Sequence, residues 1–313
     1  MNRSKLISLL VCIALMLSSV ALLASCNQTV EENTTSPETE GTSEDATTEA
    51  DTTVLGDRVE YSVTIKSEGN LPLANVEFEV YGDSDFTSLK GHGETNKKGV
   101  ATVKLFEGAT YYVKVISAPD GYKFEDSYTI TDKETSITLK SYIRDNAPDS
   151  DFTYQLGDVV HNFVLSGEGA NAVTVSDALE QYGCVVLNFW YIGCGPCKAE
   201  FPYMQSAYEK YSSKVGLFAL NGNAAETSAM ISEFQTQYGY TFSMSRADKS
   251  LVSYFNITAF PTTIVIDKYG VICFIEVGAI TSEEPFVNVF EYFSSESYSE
   301  TVLFSNIEYI PAK

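Results

Sequence analysis

The pattern of apolar and polar positions divides the chain into stretches of different character. Leu6 to Ala24 is a continuous apolar run behind Arg3 and Lys5, whereas residues 27–56 are built from Thr, Glu, Ser and Asp without one lysine or arginine. From residue 57 to 142 apolar positions alternate in short runs: Tyr61 to Ile65, Val76 to Tyr81, Val100 to Leu105, Tyr111 to Ile116 and Ser136 to Leu139. The turn pairs Gly69-Asn70, Lys98-Gly99 and Asp120-Gly121 fall between these runs, which predicts a small antiparallel all-β sandwich.

Beyond a connector around Ser141 to Tyr154 the period changes. Leu156 to Leu165 opens a second domain, Ser176-Asp177 predicts the cap of a short helix running to Tyr182, and Val185 to Trp190 reads as a buried strand. A helix then starts at Cys194, with Pro196 in its first turn, where no N–H is needed, and Pro202 placed to kink it. Val215 to Leu220 follows as a strand and Glu226 to Tyr238 as a helix with Met230, Ile231 and Phe234 on one face. Ile264 to Asp267, a hairpin through Lys268-Tyr269-Gly270 into Val271 to Val277, and a helix from Glu283 to Phe293 with Phe286, Val289, Phe290 and Phe293 inward complete the series. Strands alternating with helices imply βαβ crossovers and an α/β domain with a parallel core to its sheet.

The 313 residues suffice for two modest domains and tails. A net charge of −22 excludes nucleic acid as a partner. The N-terminal run has the order of regions of a secretory signal, and its end, Leu23-Ala24-Ser25-Cys26, resembles a bacterial lipobox, in which Cys26 is lipidated and becomes the new N-terminus. An uncleaved membrane anchor is the alternative, since about 20 apolar residues span a bilayer. Either way, the rest of the chain is expected outside the cytoplasm. Residues 27–56 cannot bury enough apolar surface to offset their ordering entropy and read as an acidic tether, spanning roughly 30 Å as a flexible coil.

Six cysteines do not form a disulfide framework: Cys12 and Cys26 belong to the N-terminal run, and Cys184 and Cys273 stand singly. Cys194 and Cys197, two residues apart, can close a small disulfide ring. At a helix start the first sulfur gains from N–H groups that favour an anion, which makes Cys194 the candidate thiolate nucleophile. The bland alternatives are a metal half-site or an inert bridge. A zinc site needs about four ligands, and the chain offers two histidines, His92 and His161, and no second such cysteine pair. The strand before the pair and the helix after it favour redox chemistry, with no metal and no cofactor.

Trp190 to Lys198 resembles a thioredoxin active site, and Cys197 to Met204 resembles the membrane-tethered TlpA/ResA branch of that family. The resemblance implies a thioredoxin fold and a buried acid/base three residues after the second cysteine, the position of Glu200. Asn188 stands where thioredoxins proper carry a buried aspartate, and an amide cannot titrate, which leaves Glu200 as the candidate to handle the proton of Cys197. Gly193 replaces the family's usual tryptophan beside the first cysteine. Ala259-Phe260-Pro261-Thr262-Thr263 matches the family segment whose proline is cis and faces the disulfide. Trp190, Gly195, Pro196, Phe260 and Pro261 are then the expected substrate contacts. Cys184 and Cys273 are expected on strands of one sheet with another strand between them, beyond the roughly 7 Å bridging limit, as buried inert thiols. His161 is expected to be structural.

Three fragments of the first domain, Pro72 to Tyr81, Thr95 to Ala101 and Ala118 to Tyr122, resemble the prealbumin-like CnaB/SpaA modules of Gram-positive surface proteins. Many of these carry a Lys–Asn isopeptide bond promoted by a buried acid. Lys66 and Glu77 match the lysine and acid positions, but the last strand, around Ser136 to Lys140, has no asparagine, and both are read as ordinary strand residues. The expected organisation is a lipoprotein signal (1–26), the tether (27–56), a CnaB/SpaA-like sandwich (57–142), a linker (143–156), a thioredoxin-like domain (157–298) and a C-terminal tail (299–313). The resemblance implies an extracytoplasmic thiol–disulfide oxidoreductase, most consistent with a reductant of protein disulfides and recharged by a CcdA/DsbD-like membrane electron donor. A disulfide-donating oxidase or isomerase would use the same residues, and a surface adhesin with a structural thioredoxin domain is the reading from the other end of the chain.

Overall fold

The computed structural model describes residues 57–311; the apolar N-terminal run, Cys26 and the tether lie outside them. In the first domain β1 (Arg58–Ser67), β2 (Glu77–Tyr81), β3 (Leu89–Glu94), β4 (Val100–Phe106), β5 (Tyr111–Ser117), β6 (Tyr122–Lys123), β7 (Tyr128–Ile130) and β8 (Glu134–Ser141) form two four-stranded sheets, ordered β4-β1-β8-β6 and β3-β2-β5-β7. The period-two pattern turns Tyr61, Val63 and Ile65 of β1 inward against Phe78, Val80, Val103, Leu105 and Val113. Neighbouring strands run antiparallel except β1 and β8, which are parallel, with Ile65 opposite Ile137. β3 has no counterpart in the sequence reading, because its residues are exposed or half-buried along their whole length. Gly93 is required there: a Cβ at this position would stand 2.5 Å from the Phe78 ring.

The second domain begins with β9 (Val164–Ser166) and β10 (Val173–Thr174), a two-stranded ribbon leading into α1 (Val175–Gln181). The cap of α1 is Thr174, two residues before the position expected; its hydroxyl accepts from Asp177 N while Asp177 accepts from Thr174 N. β11 (Cys184–Trp190), α2 (Gly195–Tyr211), β12 (Val215–Asn221), α3 (Ser228–Tyr238), β13 (Ser243–Arg246), α4 (Lys249–Tyr254), β14 (Thr262–Asp267), β15 (Ile272–Val277) and α5 (Glu283–Phe293) complete it. The sheet order is β13-β12-β11-β14-β15, with β13, β12 and β11 parallel and β14 and β15 antiparallel. This is the thioredoxin arrangement. Every residue of β11 is buried, and the strand divides its side chains between two cores. Cys184, Val186 and Trp190 join the α2–α3–α5 layer, whereas Val185, Leu187 and Phe189 join the layer under α1 and α4. Pro202 lies inside α2, which continues past it to Tyr211. Cys184 and Cys273 are buried and unbridged, with β14 between their strands, and burial raises both thiols.

The stretch expected as a linker is packed. Tyr142 N donates to Gly121 O, the Arg144 guanidinium lies 2.8 Å from Asp120, and the rings of Phe152 and Tyr154 meet edge to face. The Tyr154 hydroxyl accepts from His161 N and shares a hydrogen bond with His161 Nδ1, both at 2.9 Å, which gives His161 a structural position in the second domain. The C-terminal stretch is packed as well. The Thr301 hydroxyl and the Tyr298 phenol both donate to the buried carboxyl of Asp267, Phe304 exchanges backbone bonds with Cys273 and Ile275, and Thr301 N reaches back to Gly69 O of the first domain.

The two domains share apolar contacts, because Val159 and Val271 of the second complete the core of the sandwich. Gly121 allows this approach: it has φ +86°, and a Cβ there would stand 2.5 Å from the Cβ of Val159. Gly121→Ala therefore combines a left-handed backbone penalty with a steric clash and is expected to cost about 2 kcal/mol. Urea denaturation of the oxidised protein checks this, and an unchanged midpoint would contradict the packed interface.

Candidate active site

β11 delivers the chain to a turn, Tyr191 to Cys194, closed by Cys194 N donating to Tyr191 O at 3.0 Å. Cys194 is the N-cap of α2, with extended backbone, and its sulfur accepts from the N–H of Cys197 at 3.1 Å. Pro196 fills the first turn, where the missing N–H costs nothing. The two sulfurs are joined in a disulfide with Cα atoms 5.3 Å apart. Cys194 keeps 2 % exposure and Cys197 none, so an incoming sulfur meets Cys194 first. An N–H so placed at a helix start favours a thiolate at the N-cap sulfur once the disulfide is reduced.

The other wall comes from the loop before β14. The Phe260–Pro261 bond is cis, and the Phe260 carbonyl oxygen lies 3.8 Å from Cys194 Sγ. In the disulfide the sulfur carries no proton, so this is a contact rather than a hydrogen bond. The Phe260 ring meets Tyr191 edge to face, with centroids 5.4 Å apart. Gly195 and Pro196 are exposed at the mouth, Phe260 is half-buried and Pro261 buried.

Trp190 requires a correction. It was expected among the substrate contacts, but it is fully buried, packed against Phe201 and Phe234 with centroids 5.1 and 5.0 Å away. Its place on β11 turns it into the α2–α3–α5 core, on the inner side of the disulfide. It is a core residue, and the aromatic surface at the mouth belongs to Tyr191 and Phe260.

Glu200 lies one helical turn after Cys197 and is also fully buried. Its Oε1 accepts from Asn188 Nδ2 at 2.7 Å and its Oε2 from Ile280 N at 2.9 Å. Asn188 also donates to the Thr263 hydroxyl at 3.1 Å. Both bonds to Glu200 favour the carboxylate, yet desolvation is stronger and pushes its pKa up from 4.5 to about 7. A group at that value can take a proton from a thiol and return it near neutral pH.

The remaining candidates lie elsewhere. His92 stands on β3 and His161 is held by Tyr154. Among the described residues no His, Cys, Asp and Glu cluster could hold a metal ion. Glu77 is exposed on β2, while Lys66 is half-buried on β1 of the facing sheet. Glu226 went unrecognised in the sequence. Read as the first residue of a helix, it instead precedes α3, buried, and binds the turn before Cys194.

Residues 155–290 match the Redoxin family model, and residues 62–147 match the SpaA model, a prealbumin-like fold domain. The chain is 36 % identical over 131 residues to the thioredoxin-like protein YneN of Bacillus subtilis, covering 42 % of this chain and 76 % of that one. It is 32 % identical over 126 residues to the thiol-disulfide oxidoreductase ResA of the same organism, covering 40 % and 69 %. The chain belongs to the ResA-type thioredoxin-like thiol–disulfide oxidoreductases. Among solved structures, StoA of Bacillus subtilis matches with 25 % identity over 40 % of this chain and 93 % of its own, at a TM-score of 0.34. The ResA-type domain is thus carried behind a prealbumin-like β domain in one chain.

The raised pKa of Glu200 makes stability depend on pH. Between about 4.5 and about 7 the native state holds a proton that the unfolded state has released, so stability falls as pH rises through that window. The loss attributable to this group is about 3 kcal/mol. Glu200→Gln should flatten that part of the pH–stability curve of the oxidised protein, measured by denaturant unfolding at steps between pH 4 and 8. An unaltered curve would contradict the assignment.

Proposed function

We propose that this chain acts outside the cytoplasm, held at the membrane through Cys26, as a reductant of protein disulfides. The observation that carries the reading is the buried Glu200, one turn after Cys197 and with its pKa pushed up to about 7. In the reduced protein the Cys194 thiolate attacks one sulfur of the substrate disulfide; that bond breaks and the other substrate sulfur leaves as a thiolate. Cys197 passes its proton to Glu200 and attacks Cys194, releasing the second substrate sulfur. Two electrons move to the substrate, and the Cys194–Cys197 disulfide remains. Phe260, Pro261, Gly195 and Pro196 form the surface on which the substrate chain lies.

The Gly-Pro pair between the cysteines resembles reducing thioredoxins, which supports electron flow towards the substrate. A reductant outside the cytoplasm needs electrons from across the membrane, and a CcdA/DsbD-like membrane protein is the class of partner that the family resemblance implies. Among the described residues no helix is long and apolar enough to cross a membrane; the anchor is assigned to the N-terminal run and Cys26 on their sequence alone.

The reduction potential of the Cys194/Cys197 pair tests the direction. Trp190, the single tryptophan, shares a core with both cysteines, and its fluorescence in defined thiol buffers reports the equilibrium. A value near the roughly −270 mV of thioredoxin is expected, and one near the roughly −120 mV of DsbA would make the protein a disulfide donor instead.

A further inference from the structure

The Tyr191–Cys194 turn is bonded to a side chain of the segment between β12 and α3. Ile192 N donates to Glu226 Oε2 at 2.8 Å, and the same oxygen accepts from Asn221 Nδ2 at 2.7 Å, while Oε1 accepts from Asn223 Nδ2 at 3.0 Å. Glu226 is 7 % exposed and sits between the end of β12 and the start of α3. Three N–H donors converge on its two oxygens, and charge-assisted bonds of this kind are the stronger ones. The same short segment also supports the opposite wall. Gly222 N donates to Trp190 O at 2.9 Å, and the Phe260 ring lies so close to Gly222 that a Cβ would stand 2.8 Å from it. The segment from Asn221 to Glu226 therefore backs both Tyr191 and Phe260, the two aromatic sides of the opening to Cys194.

We propose that Glu226 is a positioning residue for this active site: by holding the Ile192 amide it fixes the turn that places Cys194 and Tyr191, and so sets reactivity towards disulfides presented on a protein chain. The inference rests on the reading of Cys194 as the attacking sulfur. Its chemical basis is geometric. A small disulfide approaches Cys194 from any direction the opening allows, but a protein disulfide must lay its backbone between Tyr191 and Phe260, where misplacement by about 1 Å can cost about 100-fold in rate. Gly193 adds no side chain to stiffen the turn, and a Cβ there would press on the Tyr191 ring at 3.1 Å. Beside the Cys194 N–Tyr191 O bond within it, the turn is tied to the segment after β12 by the Ile192–Glu226 bond.

The test compares Glu226→Ala and Glu226→Gln with the wild type, all reduced, in single-turnover reactions with oxidised glutathione and with insulin. Hydrogen exchange at the amides of residues 191–194 is followed alongside. We expect Glu226→Ala to lose about 10-fold with insulin, mainly through the insulin concentration that gives half the maximal rate, and less than 3-fold with glutathione. Amide exchange in the turn should quicken while that of α2 beyond Cys197 stays as it was. Glu226→Gln, which keeps one acceptor oxygen, should recover part of the insulin rate. Equal losses on both substrates, or wild-type rates on both, would overturn the proposal. Should the wild type itself reduce neither disulfide, the reductase reading falls, and the exchange of the Ile192 amide still decides whether Glu226 holds the turn: unchanged protection in Glu226→Ala would overturn it.

Discussion

Removing the Glu200 carboxyl from water is the constraint around which the active-site domain is arranged. A buried carboxylic acid is tolerated only with its hydrogen-bond demands met, and here a strand residue, Asn188, and a loop amide, Ile280 N, each supply one donor. These donors come from elements far apart in sequence, so the acid can occupy its site only when β11, α2 and the segment after β15 have assembled. Burial opposes the charge and the two donors favour it. The balance leaves a group that can exchange a proton near neutral pH, one helical turn after Cys197, the sulfur that the proposed mechanism requires to lose one. Cys194 is served by a different effect, the N–H groups at the helix start, so the two sulfurs are distinguished by one turn of helix.

The rest of the fold keeps this arrangement at one end of the sheet. The cis-proline loop opens β14 at Thr262, and the sandwich docks against the hairpin that closes it, beyond Asp267. Six residues of strand separate the two ends by about 20 Å. The C-terminal segment ties that distant end: Asp267 accepts from Tyr298, Thr301, Tyr269 N and Val271 N, and Thr301 N bonds to the sandwich. Burial raises the pKa of Asp267 despite four donors. A mobile spacer would have left Val159 and Val271 exposed. They are instead buried in the sandwich core, so the first domain supports the second by contact.

Much of this was legible in the sequence because the strongest signals are local. The alternation in β1, β4 and β5 and the run through β11 predict strands, and the spacing of Cys194, Cys197 and Glu200 puts three functional groups on one helical stretch. The losses have physical causes. β3 is interrupted by Gly91 and Gly93 and shows no apolar face, β13 is a four-residue polar edge strand, and α4 is a helix of six residues, too short for its periodicity to show. The family resemblance places Trp190 among the substrate contacts, and a strand buried on both faces gives no alternation that would turn it inward instead. Glu226 was invisible because the partner that gives it a role, the Ile192 amide, lies 34 residues away and meets it only through the crossover from β11 to β12 and on to α3.

The proposed proton transfer depends on the state of one carboxyl, and a direct titration of Glu200 tests it. With glutamate labelled at the carboxyl carbon, the Glu200 resonance, assigned by its loss in Glu200→Gln, should move with an inflection near pH 7 in the oxidised protein. An inflection near the ordinary glutamate value of about 4.3 would contradict this, because so weak a base is poorly matched to taking the proton of Cys197 near neutral pH.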